Sequence, residues 1–181
     1  MRVLKLDEAR IILSKIIKFQ GNFFKNFIKK QIEEFQLFRI LKNRVFIASI
    51  ILASRANSFG KKKIGSIGTC IGRFDKSERF YFLIPALNFL IRSPKFNSIF
   101  INETGEKIFT YGKHLKKNCL LRLTKDLNYN DGVIVLGKNE IPLGLGEIIK
   151  NSSEILRISD KETLIINQAD IGKYIRTIEH K

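Results

Sequence analysis

Arg73-Phe74, Lys76 and Arg79-Phe80-Tyr81 place cationic and aromatic side chains in close alternation. A guanidinium can grip a phosphate through paired hydrogen bonds, and an exposed ring can stack on an unpaired base. If Asp75–Ser77 forms a regular turn between two strands, period-2 geometry sets Arg73 and Arg79 on one face. A plain core fits the same residues, with Phe74 and Phe80 buried and the charges solvated, because fifteen Phe must pack somewhere. Lys61, Lys62 and Lys63 follow Gly60 in what reads as a solvated basic loop.

Other chemistries find less support. Gly65, Gly68 and Gly72 could cradle a phosphate, but a nucleotide loop needs Gly-Lys-Ser/Thr at its end, and Gly72 precedes Arg73-Phe74. These glycines read as turns or bulges, and Gly144-Leu145-Gly146, with no helix after it, as a strand bend. A nucleophilic Cys70 would want a histidine or a cationic neighbour; Arg73 is near in sequence, but His114 lies in the other half. The N-terminal half has no histidine, so Cys70 reads as a packed thiol. His114 and Cys119 do not give a zinc spacing, and His180 lies at the chain end. No metal, cofactor or catalytic residue is expected.

The formal net charge is +16 over 181 residues. Residues 1–95 carry 20 basic and 6 acidic side chains, and residues 96–181 carry 13 and 11. A one-sided basic field attracts polyanions, nucleic acid first and an anionic membrane surface second. The alternative origin is an AT-rich genome, since Lys, Ile, Asn and Phe are all abundant. Two cysteines read as reduced thiols in an intracellular protein. The longest apolar stretch, Val45 to Ala53, is about half a membrane span, and Met1-Arg2-Val3-Leu4-Lys5 opens no signal core. No membrane partner is expected.

Elements must hold these residues in place. Asp7 can cap a first helix carrying Ile12, Leu13, Ile16 and Ile17, with Gly21 as its stop. Phe23 to Ile28 suggests a second helix. Phe35 to Leu41 and Arg44 to Ala48 flank Lys42-Asn43 as a hairpin, and Ser49 can cap a helix through Ala56. Residues 64–84 read as two strands. Ser93-Pro94 marks a boundary, giving an N-terminal domain over 1–94 and a second over 95–181. The second half carries strands at 98–101, from 120, 133–136, 141–149, 163–166 and 171–175, with one short helix from Glu106 to Tyr111. Many short strands with few helices argue for a small barrel.

Five segments resemble one family in order and spacing. They are Gly68-Thr69-Cys70-Ile71-Gly72-Arg73-Phe74, Tyr111-Gly112-Lys113-His114, Ile141-Pro142-Leu143-Gly144-Leu145-Gly146, Gln168 to Arg176, and Arg44-Val45-Phe46 with Ser49. On these the chain resembles the Nip-seven family of large ribosomal subunit biogenesis factors, which are not associated with catalysis. The resemblance implies an α+β fold of two domains. The first is α/β, with an antiparallel sheet and flanking helices. The second is a PUA-type mixed β pseudo-barrel. It implies precursor ribosomal RNA, pre-60S particles and other assembly factors as partners of a monomer. The implied location is nucleus and nucleolus, of a reduced nucleus on this composition, or the cytoplasm of an archaeon. Lys113, Lys116, Lys117, Lys150 and Arg157 join the RNA-contact candidates partly on this ground, with ordinary surface charge as the alternative. Where the family reads S-G-x-G after Lys117, this chain has Asn118-Cys119-Leu120-Leu121, which shifts expected RNA contact toward the N-terminal domain. An RNA-modifying enzyme with a PUA domain and a protein–protein adaptor are the rival readings.

Overall fold

Helix α1 (Leu6–Gln20) begins at Leu6 rather than beyond an Asp7 cap. The Glu8 carboxylate accepts the Lys5 backbone N–H at 2.7 Å, which is half of a capping box. Asp7 instead sits in the first turn, where its charge complements the helix dipole. The computed structural model describes residues 2–33, 36–57, 66–92, 95–124 and 126–178, so Lys61, Lys62 and Lys63 lie outside the described residues. The chain divides into two units, Met1–Ile17 with Asn22–Ser93, and Lys18–Gly21 with Pro94–Lys181.

In the first unit a four-stranded antiparallel meander is built from β1 (Gln36–Leu41), β2 (Arg44–Ser49), β3 (Thr69–Phe74) and β4 (Phe80–Phe82). The β1–β2 hairpin turns at Lys42-Asn43, with Leu41 opposite Arg44 and Lys42 in the left-handed region at φ 55°. Asn43 ties this turn to the end of β3, since its side chain donates to the Phe74 carbonyl at 3.0 Å. Helices α2 (Phe24–Glu33), α3 (Ile50–Asn57) and α4 (Ala86–Leu90) complete the unit. Ser49 caps α3 by accepting the Leu52 N–H. Phe27 and Phe38 both meet Phe89 edge-on, at 5.0 and 5.9 Å. Such pairing adds directional preference to simple burial.

The second unit is a six-stranded mixed sheet made of β5 (Ser98–Ile101), β6 (Leu115–Lys116), β7 (Leu120–Leu123), β8 (Gly132–Leu136), β9 (Pro142–Ile148) and β10 (Thr163–Asp170). Its order is β6-β10-β9-β8-β5-β7, with β5 and β8 parallel. The two edge strands, β6 and β7, are joined only by a 3-10 turn at Lys117–Cys119. That link reaches roughly 13 Å at most, so the sheet must curl until its edges nearly meet. Ile99, Val133, Val135, Ile148, Leu164 and Ile165 fill the interior, together with Phe109 from α5 (Glu103–Thr110).

Two elements differ from the sequence reading. Helix α5 starts at Glu103 rather than Glu106, because the Asn102 side chain accepts the Gly105 N–H at 2.8 Å. Gly105 had masked this start. The strand expected over 171–175, a run rich in β-prone Ile and Tyr, is not formed, and from Gly172 the chain enters helix α6 (Gly172–Ile178). A helical turn lets Arg176 reach back to Asp170 with a two-pronged grip at 2.9 and 3.0 Å.

Candidate nucleic-acid interface

The register of the first sheet decides which side chains share a face. Arg44 lies directly opposite Arg73, and Arg73 directly opposite Tyr81. Cross-strand partners project to the same side of a sheet. All three are exposed, Tyr81 to 42%. They form a row of two guanidiniums and a phenol across β2, β3 and β4. The residue opposite Arg73 is Tyr81.

Arg79 closes the turn after β3. Asp75 organises that turn by accepting the backbone N–H groups of Ser77 at 2.8 Å and Arg79 at 3.0 Å. The Arg79 amide, with those of Ser77 and the Tyr81 hydroxyl, holds the Asp75 carboxyl below its usual range. Lys76 and Arg79 are exposed on the turn, and neither has an ion pair among the described residues. Phe74, Phe80 and Phe82 face the other way, into the core, with ring centroids 5.3 and 5.0 Å apart in sequence. The core reading thus holds for Phe74 and Phe80, and Tyr81 is the exposed ring of the segment. Gly72 makes this possible, because a Cβ there would come 2.3 Å from the Phe80 ring.

Beside Arg44 the surface is concave. Lys42, Asn43, Arg44, Phe46, Ser66 and Cys70 line a cavity of about 710 Å³. Burial raises the Cys70 thiol above its usual value against an opposing pull from Arg44, and its S–H donates to the Gly72 carbonyl at 3.7 Å. A thiol held protonated is a poor nucleophile, which fits the packed role.

In the second unit two of the five candidate cations have internal partners. The Lys117 ammonium donates to the Ile158 carbonyl at 2.8 Å and lies 3.3 Å from Asp160. Lys150 pairs with Glu162 at 2.7 Å, which raises its pKa. Lys113, Lys116 and Arg157 are exposed with no ion pair among the described residues. Cys119, at one of the two positions where the expected pattern has glycine, is buried, and its Cβ packs on Gly105. The other, Leu121, is exposed on β7. The substitution therefore fills core at one position and adds apolar surface at the other.

The remaining motif residues interlock. Arg176 binds Asp170 and also donates to the Thr110 carbonyl. Asn167 donates through its side chain to the Phe109 carbonyl at 2.9 Å and through its backbone to His114 Nδ1 at 3.1 Å. Gly172 lets α6 approach, since a Cβ there would fall 1.9 Å from the Thr110 carbonyl oxygen. His114 is a structural acceptor here. The sequence reading named Tyr81 only within its basic and aromatic segment and Arg44 only within a motif, and counted neither among the RNA-contact candidates. The turn at 75–79 sets Tyr81 opposite Arg73, whereas the Arg44–Arg73 register crosses β2 and β3, which α3 separates in sequence, so no local turn reveals it.

Residues 1–84 match the NIP7/UPF0113 pre-PUA domain, and residues 97–179 match the UPF0113 PUA domain. The chain is 31% identical over 176 residues to the 60S ribosome subunit biogenesis protein NIP7 homolog of Dictyostelium discoideum, covering 97% of each chain. It is 32% identical over 177 residues to the homolog so named of Danio rerio, covering 98% of this chain and 97% of that one. Among solved structures, a hypothetical protein of the archaeon Pyrococcus horikoshii OT3 superposes with a TM-score of 0.60 at 12% identity, covering 97% and 96% of the two chains. A PUA domain protein of Aeropyrum pernix K1 gives 0.52 at 10% identity, covering 90% and 89%. These two likenesses show the fold, a two-domain α+β chain with a PUA barrel. The relatives carry the family assignment: this chain belongs to the NIP7/UPF0113 family.

Proposed function

We propose that this chain is an RNA-binding assembly factor for the large ribosomal subunit, acting in precursor ribosomal RNA processing without catalysis. End-to-end similarity to relatives named for 60S subunit biogenesis carries this reading. The exposed cations of the first unit give it a physical means, since side chains that neutralise phosphates release counterions and gain affinity. The two functional domains are assigned to 1–94 and 95–181. The chain works as a monomer in the nucleus and nucleolus, on pre-60S particles with other assembly factors, and needs no cofactor or membrane. Its RNA contacts are Arg73, Lys76 and Arg79 in the first unit and Lys113, Lys116 and Arg157 in the second, with Lys61, Lys62 and Lys63 contributing charge. Lys117 and Lys150 contribute less, being held in ion pairs.

RNA affinity measured across a salt series tests this. The logarithm of the binding constant should fall with that of salt by about 0.7 per phosphate neutralised on a single strand. Charge reversal at Arg73, Lys76 and Arg79 should weaken binding more than reversal at Lys138 and Lys173. Affinity independent of salt would remove the electrostatic account, and equal effects of the two sets would move the surface elsewhere.

A further inference from the structure

Arg44 and Arg73 face each other directly across β2 and β3, with Tyr81 next in line on β4. Like charges opposite one another on a sheet destabilise it. Neither guanidinium has an acidic partner among the described residues. Asp75, the carboxylate nearest Arg73 in sequence, accepts the Ser77 and Arg79 amides at Oδ1. The sheet thus carries an unfavourable charge pair that an anion seated between the two arginines would convert into a favourable one. The neighbouring cavity adds Lys42, the Asn43 amide and the Ser66 hydroxyl on the Arg44 side. On the Arg73 side stands a 42% exposed phenol, whose hydroxyl interacts with Asp75.

We propose that the row Arg44–Arg73–Tyr81 is a nucleotide site for single-stranded RNA, with one backbone phosphate held between the two guanidiniums and an adjacent unpaired base stacked on Tyr81. Strand neighbours in a sheet are about 5 Å apart, so the phosphate seat and the ring lie within one nucleotide's reach of each other. The ring distinguishes this site from a bare phosphate clamp, because stacking engages only a base that has left its duplex. The inference rests on the RNA-binding reading above and assigns part of that binding to the first unit's sheet.

The test uses the full chain and a labelled single-stranded RNA of about 12 nucleotides, within the range that single-strand binders occupy. Arg44→Gln with Arg73→Gln should lower the salt slope by about 0.7 and weaken binding roughly tenfold at low salt. Lys25→Gln with Lys29→Gln, an equal change in charge on exposed residues of α2, should cost less than about twofold by long-range field alone. Tyr81→Leu should weaken binding roughly tenfold with an unchanged slope, while Tyr81→Phe binds as the parent does. Melting curves should show the double arginine variant at least as stable as the parent, because the like-charge pair is gone. If the parent binds RNA and the Arg44, Arg73 and Tyr81 variants bind equally well, the site is wrong while the RNA reading stands. If the parent does not bind RNA, both fall. If poly-glutamate displaces the RNA as well as unlabelled RNA of equal charge does, the row is a seat for acidic protein, and the proposal is overturned.

Discussion

The basic sheet face of the first unit and the paired cations of the second hold positive charge in different ways. In the first, Arg44, Arg73, Lys76 and Arg79 stand exposed on one end of a sheet and its turn, with no side-chain ion pair among the described residues. In the second, Lys117, Lys138, Lys150, Arg122 and Arg176 are each matched to a carboxylate of the same unit. Part of the near-neutral balance of residues 96–181 is thus drawn into specific pairs. A cation already bonded to a carboxylate must surrender that bond before it can serve a phosphate. Basic residues of equal exposure in sequence terms therefore differ in what they offer a polyanion.

The sharpest way to break this contrast is to remove a charge whose work is structural. Asp170 is 4% exposed and accepts both prongs of Arg176. Arg176→Ala leaves a buried carboxylate unmatched and frees the start of α6 from Thr110. Breaking a fully buried pair costs about 3–5 kcal/mol, and partial exposure of Arg176 lowers this to about 2 kcal/mol. Urea denaturation followed by circular dichroism should show that loss, with RNA affinity at low denaturant unchanged. Arg176→Lys should fall between, since an ammonium cannot make the two-pronged contact. A variant that keeps its stability but loses RNA would reverse the roles assigned to the two units.

A smaller effect sharpens the comparison within the second unit. Lys113 and Lys117 belong to one basic cluster in the sequence, yet only Lys117 is bonded to Ile158 and Asp160. Lys113→Gln should weaken RNA binding by about threefold, and Lys117→Gln by less than about twofold, at low salt. Binding titrations on the two single variants decide it. A larger loss at Lys117 would mean that RNA displaces Asp160.

Much of the scaffold was legible from local pattern. The Lys42-Asn43 hairpin, the Ser49 cap and the strands at 133–136 and 141–149 each rest on neighbours within a few residues, where turn chemistry and period-2 alternation decide. Helix α6 was not legible, because Ile171, Tyr174 and Ile175 are β-prone residues in a run too short to show a helical period. Only the remote Thr110 carbonyl and the Asp170–Arg176 pair favour the helix. The site was half legible for the same reason. Arg73 stands out beside its aromatic neighbours. Arg44 becomes its partner only through strand register, and Lys150 loses its availability only through Glu162 on the far side of a loop.

The least of the expected effects concerns the pair that the first unit does make at its N-terminus. Glu8 accepts two hydrogen bonds from Arg2, at 2.7 and 2.5 Å, and the Lys5 amide besides. The Arg2 guanidinium is the main cause that lowers the Glu8 carboxyl from 4.5 to about 2. A carboxyl depressed in the folded state stabilises it above the unfolded value, and that contribution fades as pH falls from about 4.5 toward 2. Arg2 also pairs through its backbone with Ile40, so this contact fastens the start of the chain to β1. Water screens the pair, since Arg2 is 47% and Glu8 20% exposed. Glu8→Gln should therefore lower the melting temperature by only about 3 °C at pH 7, and the gap between variant and parent should close by about pH 2. A gap that stays constant down to pH 2 would show that packing and capping at this position, rather than charge, hold the end of the chain.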